Sequence, residues 1–374
     1  MQQECWQTGK TGFLIHPEPL QSLNEFLLDD IAKHLDSLID NLADLLENGQ
    51  IRTQLDNLPV YDVSGLTDCR AIERAFQIYS YFASAYVYAT GETVAKHIPA
   101  GIAVPLVEIA DKVKRPPILS YAPYTLANWR KIDPDGEMVV ENLELLHKFI
   151  HKKDAAWFTL IHVEIEAKAA PAIQAIAEIK EAILQKNDDA ILEGLVKIHD
   201  SLIAMMQTLK RMPEHCHPTV YYNEVRPYIF SFEDVVYEGV EQYKNQPQSF
   251  IGETGAQSSI IPAIVRLMGL AHEENNMTQY LSIMQDYMPE PHRDLIRGIK
   301  SDALRKTIQI VNQAPLIDLY NATLQQLLAF RKLHIRYAAS YIANQSSDSV
   351  GTGGTEFMVW LQQLIDETEA QFLS

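Results

Sequence analysis

Cysteine, basic charge and long apolar runs are all scarce in this chain. Three cysteines occur among 374 residues: Cys5, Cys69 and Cys216. An odd number at these spacings matches neither a disulfide framework nor a zinc ribbon, so reduced thiols in a cytoplasm are expected. Lys and Arg number 31 against 49 Asp and Glu, a net charge of −18. No Lys/Arg cluster is present to follow a phosphate backbone, which argues against nucleic acid, and the negative charge would repel anionic membranes. No stretch of about 18 uninterrupted apolar residues exists, so no transmembrane helix is expected. Met1 to Pro17 has no basic flank followed by an apolar run, so no signal peptide is expected. Familiar catalytic signatures are missing too. There is no G-x-S-x-G elbow and no H-E-x-x-H, and Gln257-Ser258-Ser259 has no evident histidine–acid pair.

What is present is helix. The composition, 47% hydrophobic and 21% charged, is globular, and the length suffices for a sizeable core and two domains. Apolar residues recur at helical spacing from Leu27 to Leu46, with Gly49 as a stop. Residues 70–95 form a second helix. A loop-rich stretch is expected next, because Pro99, Pro105, Pro116, Pro117, Pro123 and Pro134 interrupt helices. Long helices resume at about 154–185 with a kink near Pro171, then at 188–210, 256–274, 277–287, 291–312 and 316–344. The expectation is an all-α protein with a boundary near residue 149. Residues 1–149 form a smaller N-terminal helical domain and 150–374 a larger one. Asn344 to Thr355 reads as a mobile loop, rich in Ser, Gly, Asn and Asp.

Two histidines stand on apolar faces. Leu324, Leu327, Phe330, His334, Tyr337, Ala338 and Tyr341 form one stripe at steps of three and four, with Arg331 near its edge. Phe158, Ile161, His162, Ile165 and Ala169 form another, with Glu164 and Lys168 on the other side. An inward histidine is most often a core residue. Two on different helices also suit a flat macrocycle between them, since helical bundles build cofactor sites this way and histidine commonly holds haem iron.

Tyr222 and Arg226 lie four apart, on one face of a helical turn, with Tyr221 beside them. An aromatic wall with a guanidinium suits a planar ring bearing a carboxylate; the alternative is a surface arginine paired with Glu224 or Asp234. His215-Cys216-His217 offers metal ligands but no fourth partner for zinc. Gly351-Thr352-Gly353-Gly354-Thr355 is not a dinucleotide fingerprint, because the third glycine would fall at Glu356. It is a linker, or a lid over a substrate.

In order along the chain, these pieces resemble the indoleamine 2,3-dioxygenase family of haem enzymes. The matching segments are Gly101-Ile102-Ala103-Val104-Pro105, Pro116-Pro117-Ile118-Leu119-Ser120-Tyr121, Leu126-Ala127-Asn128-Trp129, Trp157-Phe158 through Glu166, and Tyr222 with Val225-Arg226-Pro227-Tyr228. They continue with Gly255-Ala256-Gln257-Ser258-Ser259, Tyr287-Met288-Pro289 with His292-Arg293, His334, and Gly351 to Thr355. The resemblance covers the chain from about residue 60 onward.

The resemblance implies a small helical domain capping a large one that holds haem b, iron protoporphyrin IX. It implies insertion of O2, the co-substrate, across the indole C2–C3 bond of L-tryptophan or a related indoleamine to give N-formylkynurenine. By the same resemblance His334 is the proximal iron ligand, Arg331 meets a haem propionate and Thr254 lies near the haem edge. Arg226 binds the substrate carboxylate. Tyr121, Tyr124 and Phe158 fall in the indole pocket, with Tyr221 and Tyr222 in place of two phenylalanines. Thr352 and Gly353 belong to the loop at the substrate's amino-acid end. His162 stands where mammalian members have serine, and the related tryptophan 2,3-dioxygenases place a histidine on the distal side. His162 either hydrogen-bonds the indole N–H or takes the sixth position on iron. A different indole oxidation, or a non-catalytic haem-binding or gas-sensing role, follows from the same residues. A monomer is expected.

Overall fold

Side-chain caps mark some of the helix starts. The computed structural model describes residues 5–6, 11–16, 18–25, 30–345 and 357–374. Its first helices are α1 (Asp30–Asp40), α2 (Leu42–Glu47), α3 (Ile51–Asp56) and α4 (Cys69–Val87). Asp68 caps α4 by accepting from the amides of Arg70 and Ala71. Strand β1 (His97–Ile98) and helix α5 (Ala100–Val113) follow.

Helix α5 corrects the expectation of a loop-rich stretch, because Pro105 lies inside it. A proline there loses one helical hydrogen bond, toward Gly101. Burial of α5 on nearly every side offsets that loss. At Gly101 a Cβ would come within 1.9 Å of the Leu58 carbonyl oxygen, so only glycine allows this approach.

Strands β2 (Arg130–Lys131) and β3 (Leu143–Glu144) pair antiparallel, Arg130 opposite Glu144. Three long helices come next: α6 (Lys153–Lys168), α7 (Ala170–Gln185) and α8 (Asp188–Lys210). In place of the kink near Pro171, the chain ends one helix and begins another at Ala169. Pro171 then falls in the first turn of α7, where its missing N–H costs little. Asn187 caps α8 through the Ala190 amide.

Beyond α9 (Pro218–Val220), Tyr221–Val225 winds as a π-helical turn and Arg226–Ile229 as a 3-10 turn. Strand β4 (Phe232–Tyr237) runs parallel to β1 and antiparallel to β5 (Gln248–Phe250). The remaining helices are α10 (Ile260–Met268), α11 (Asn276–Met284), α12 (Glu290–Arg297), α13 (Ala303–Val311), α14 (Ala314–Ala338) and α15 (Phe357–Glu369). The single helix expected over 291–312 is two, parted after Gly298. The fold is mostly all-α, and among the described residues no helix is long and apolar enough to cross a membrane.

Two apolar clusters organise the packing. One gathers α6, α7, α8, α10 and α14 around residues such as Ile161, Ile176, Leu202 and Leu324, and takes in Phe13–Ile15. The other gathers α1 to α5 with Phe232 and Tyr237 of β4. Glu164, expected on the outer side of α6, is buried; it accepts from the Val140 amide at 2.7 Å and the Thr208 hydroxyl at 2.8 Å.

Cys5 and Cys69 form a disulfide, with Cα atoms 6.1 Å apart, tying the N-terminal segment to the start of α4. This corrects the expectation of three reduced thiols. The pairing spans 64 residues and belongs to no local spacing pattern. Cys216 is free and buried.

Candidate active site

Two helices bring the histidines to one cavity. Phe330, His334, Tyr337 and Tyr341, from α14 and the turn after it, line a cavity of about 520 Å³ whose walls are mostly apolar. Phe158, His162 and Ile165 of α6 supply another wall. Part of each stripe expected from the sequence therefore faces the same space, while Leu324, Leu327, Ile161 and Ala169 pack in the core.

His334 lines this cavity and its side chain is exposed. Desolvation, with a smaller contribution from the nearby His162, brings its pKa down to about 4. Among the described residues it makes no hydrogen bond, so it remains available as a ligand. His162 is also held below the ordinary histidine range by burial, against a hydrogen bond to Phe158. Its Nδ1 donates to the Phe158 carbonyl oxygen at 2.7 Å. Both rings are neutral near neutral pH, the form in which an imidazole binds metal or accepts a hydrogen bond.

Aromatic rings close around His162. Phe158 lies 4.7 Å from it and Tyr121 stands edge-on at 6.3 Å, centroid to centroid. Tyr221 tilts against Phe158 at 4.5 Å. Tyr121 and Tyr221 both line the cavity. Tyr124 does not: it is buried against Tyr81, ring centroids 6.2 Å apart, beside a separate small void that it shares with Val225.

Arg226 and Tyr222 pair as their spacing implies. The guanidinium lies 5.1 Å from the Tyr222 ring centroid and 4.7 Å from that of Phe230. Arg226 is buried, and desolvation lowers its pKa against the opposing influence of Tyr221 and Tyr222. Neither Arg226 nor Tyr222 forms the cavity wall; Tyr221, which does, feels the charge of Arg226.

Arg331 lines the cavity and donates Nη1 to the Leu364 carbonyl at 2.6 Å and to the Thr368 hydroxyl. Burial brings its pKa down to about 10, with Glu367 opposing. Thr254 also lines the cavity and caps the turn Gly255–Gln257 by accepting from the Ala256 amide. Thr352 and Gly353 lie outside the described residues. His215-Cys216-His217 does not assemble a metal site. His215 packs edge-on against Trp157 at 4.5 Å, and burial pushes the Cys216 thiol up to about 12.

Two acids at this site were given no role by the sequence. Glu166 is wholly buried one turn beyond His162, and its Oε1 accepts from the Tyr121 hydroxyl at 2.9 Å and the Ser258 hydroxyl at 2.7 Å. Burial raises its pKa to about 7, against both hydrogen bonds. Glu253, beside Thr254, lines the cavity, and burial raises it to about 8. The signals for Glu166 were its place at the end of the matching segment from Trp157 and its i+4 spacing from His162.

An apolar cavity with an unbonded imidazole opening into it and an arginine on its wall fits a haem: a ligand for iron, walls for the macrocycle and a cation for a propionate. Comparison with known proteins agrees. The family model described as indoleamine 2,3-dioxygenase matches residues 6–350. Indoleamine 2,3-dioxygenase 1 of Mus musculus is 32% identical over 360 residues, 89% of this chain and 88% of that protein. Indoleamine 2,3-dioxygenase of Saccharomyces cerevisiae is 27% identical, covering 96% of this chain and 91% of its own length. A 6-hydroxytryptophan 2,3-dioxygenase of Fusarium equiseti is 25% identical over 94% of this chain and 93% of its own. The chain belongs to the indoleamine 2,3-dioxygenase family, and with that to the haem-dependent dioxygenases.

Proposed function

We propose that this chain inserts both atoms of O2 across the indole C2–C3 bond of L-tryptophan or a close relative, giving N-formylkynurenine. The observation that carries the reading is the meeting of His334 and His162 at one apolar cavity walled by Phe158, Tyr121 and Tyr221. In this proposal His334 holds the iron of haem b, Arg331 meets a propionate and Thr254 lies at the haem edge. Haem bound there supplies the redox chemistry toward O2.

The remaining roles belong to side chains. Phe158, Tyr121 and Tyr221 hold the indole plane and exclude water. Arg226, stacked on Tyr222, takes the substrate carboxylate through paired hydrogen bonds. Fixing both ends of the substrate converts binding into orientation, which can supply several kcal/mol of barrier reduction. His162 offers Nε2 as an acceptor for the indole N–H. Tyr124 acts from behind, by packing. Thr352 and Gly353 would close over the amino-acid end. The division near residue 149 belongs to the same proposal, with the smaller domain capping the larger.

A ring-hydroxylated tryptophan is the nearest alternative substrate. Tyr221 and Tyr222 add hydroxyls near the pocket, and the Fusarium relative is named for 6-hydroxytryptophan. The free Nε2 of His162 also permits a second reading, a non-catalytic protein with both histidines on iron. Absorption spectra before and after adding haem test the proposal. One equivalent should bind to the chain, and His334→Ala should lose it while keeping its far-ultraviolet dichroism. Full haem and an unchanged spectrum in that variant contradict the ligand assignment. A six-coordinate low-spin ferrous spectrum that persists with substrate supports the second reading.

A further inference from the structure

Glu253 is only 4% exposed, yet it lies on the wall of the histidine cavity. Hydrogen bonds fix the loop that carries it. The Glu253 amide donates to the Ile229 carbonyl at 3.1 Å. The Gln257 side chain donates to the Gly252 carbonyl at 2.8 Å and accepts from the Tyr121 amide at 2.9 Å. Gly252 sits so close to the Arg226–Ile229 turn that a Cβ would fall 2.3 Å from the Ile229 carbonyl oxygen, and only glycine allows this approach. The loop is thus bonded on one side to the turn that begins with Arg226, and on the other to Tyr121.

Tyr121, Tyr221 and Tyr280 line the same cavity as Glu253. Among the described residues that line the cavity Glu253 is the only carboxyl group, and a carboxylate attracts a cationic ammonium. Arg226 cannot serve the amino group of an amino-acid substrate, since both are cationic. A carboxylate on the adjoining segment can.

We infer that Glu253 is the receptor for the substrate's ammonium group, complementing Arg226 at the carboxylate, so that the site selects indoles bearing a primary amine. This rests on reading the cavity as the indoleamine site. A charge-assisted hydrogen bond in a buried setting accounts for roughly 10- to 100-fold in affinity.

The test uses the full haem-loaded chain in its ferric form, titrated calorimetrically with L-tryptophan, tryptamine and indole-3-propionate. Tryptamine lacks the carboxylate, and indole-3-propionate lacks the amine. Glu253→Gln should weaken L-tryptophan and tryptamine by about 10- to 100-fold and leave indole-3-propionate within about twofold. Glu253→Asp, which keeps the charge, should restore part of the preference for amine-bearing ligands, and it serves as the test if the Gln variant folds poorly. Equal weakening of all three ligands, or no change in any, overturns the inference. Wild-type protein that binds none of the three overturns the indoleamine reading itself, and this inference with it. Wild-type binding of all three, with the ranking unchanged in both variants, overturns only the role of Glu253.

Discussion

His162 gives its Nδ1 proton to the carbonyl oxygen of Phe158, one helical turn earlier and 2.7 Å away. A carbonyl oxygen only accepts, so Nε2 is left with a lone pair at the cavity. The ring stays neutral near neutral pH because burial lowers its pKa. A neutral Nε2 can accept the indole N–H. His162→Ala should therefore lower kcat/KM for L-tryptophan by about tenfold, the worth of one net hydrogen bond. The same variant should act on 1-methyltryptophan, which has no N–H, within about twofold of wild type. Equal losses on both substrates would remove His162 from that contact.

Arg226 is buried against Tyr222 and Phe230, so its guanidinium is pre-positioned. Arg226→Ala should raise KM for L-tryptophan by at least about tenfold and leave tryptamine nearly unchanged, because only tryptophan loses a charge-assisted pair. Steady-state kinetics on both substrates checks this, and equal effects would exclude Arg226 from carboxylate binding.

Glu166 makes stability depend on pH. Its folded pKa of about 7 lies above its ordinary 4.5. A raised carboxyl contributes its full stabilisation below pH 4.5 and loses it as pH rises through 7. Relative to Glu166→Gln, the wild type should lose up to about 1.4 kcal/mol per pH unit across that window. Urea unfolding at pH 5 and pH 7 measures the difference; parallel profiles for the two proteins would contradict it.

The Cys5–Cys69 bond predicts thiol counts. Protein denatured without reductant should show one reactive thiol, Cys216, and three after reduction. Closing a loop of 64 residues contributes about 4 kcal/mol by restricting the unfolded chain, so reduction should lower the midpoint of unfolding. Three thiols without reductant would contradict the bond.

Periodicity made the helices and both histidine faces legible. His334 and His162 each sat on an apolar stripe, and both histidines line the cavity. What escaped depends on distant partners. Pro105 reads as a helix breaker until the burial of α5 is known. Glu164 reads as a solvated charge until Val140 and Thr208 are found beside it. Cys5 finds Cys69 only through folding. Glu253 lies in no motif and Glu166 only ends one, and neither was given a role, because their importance comes from being enclosed, and enclosure is a property of the tertiary structure. Tyr124 shows the converse: it aligned with the indole pocket, yet it packs behind the cavity wall.

The most direct measurement is product analysis by mass spectrometry after the reduced, haem-loaded chain is incubated with L-tryptophan under isotopically labelled O2. The account predicts N-formylkynurenine carrying both labelled oxygen atoms, and none from His334→Ala. Unchanged tryptophan from a fully haem-loaded, reduced sample, or a product carrying a single labelled oxygen, would contradict it.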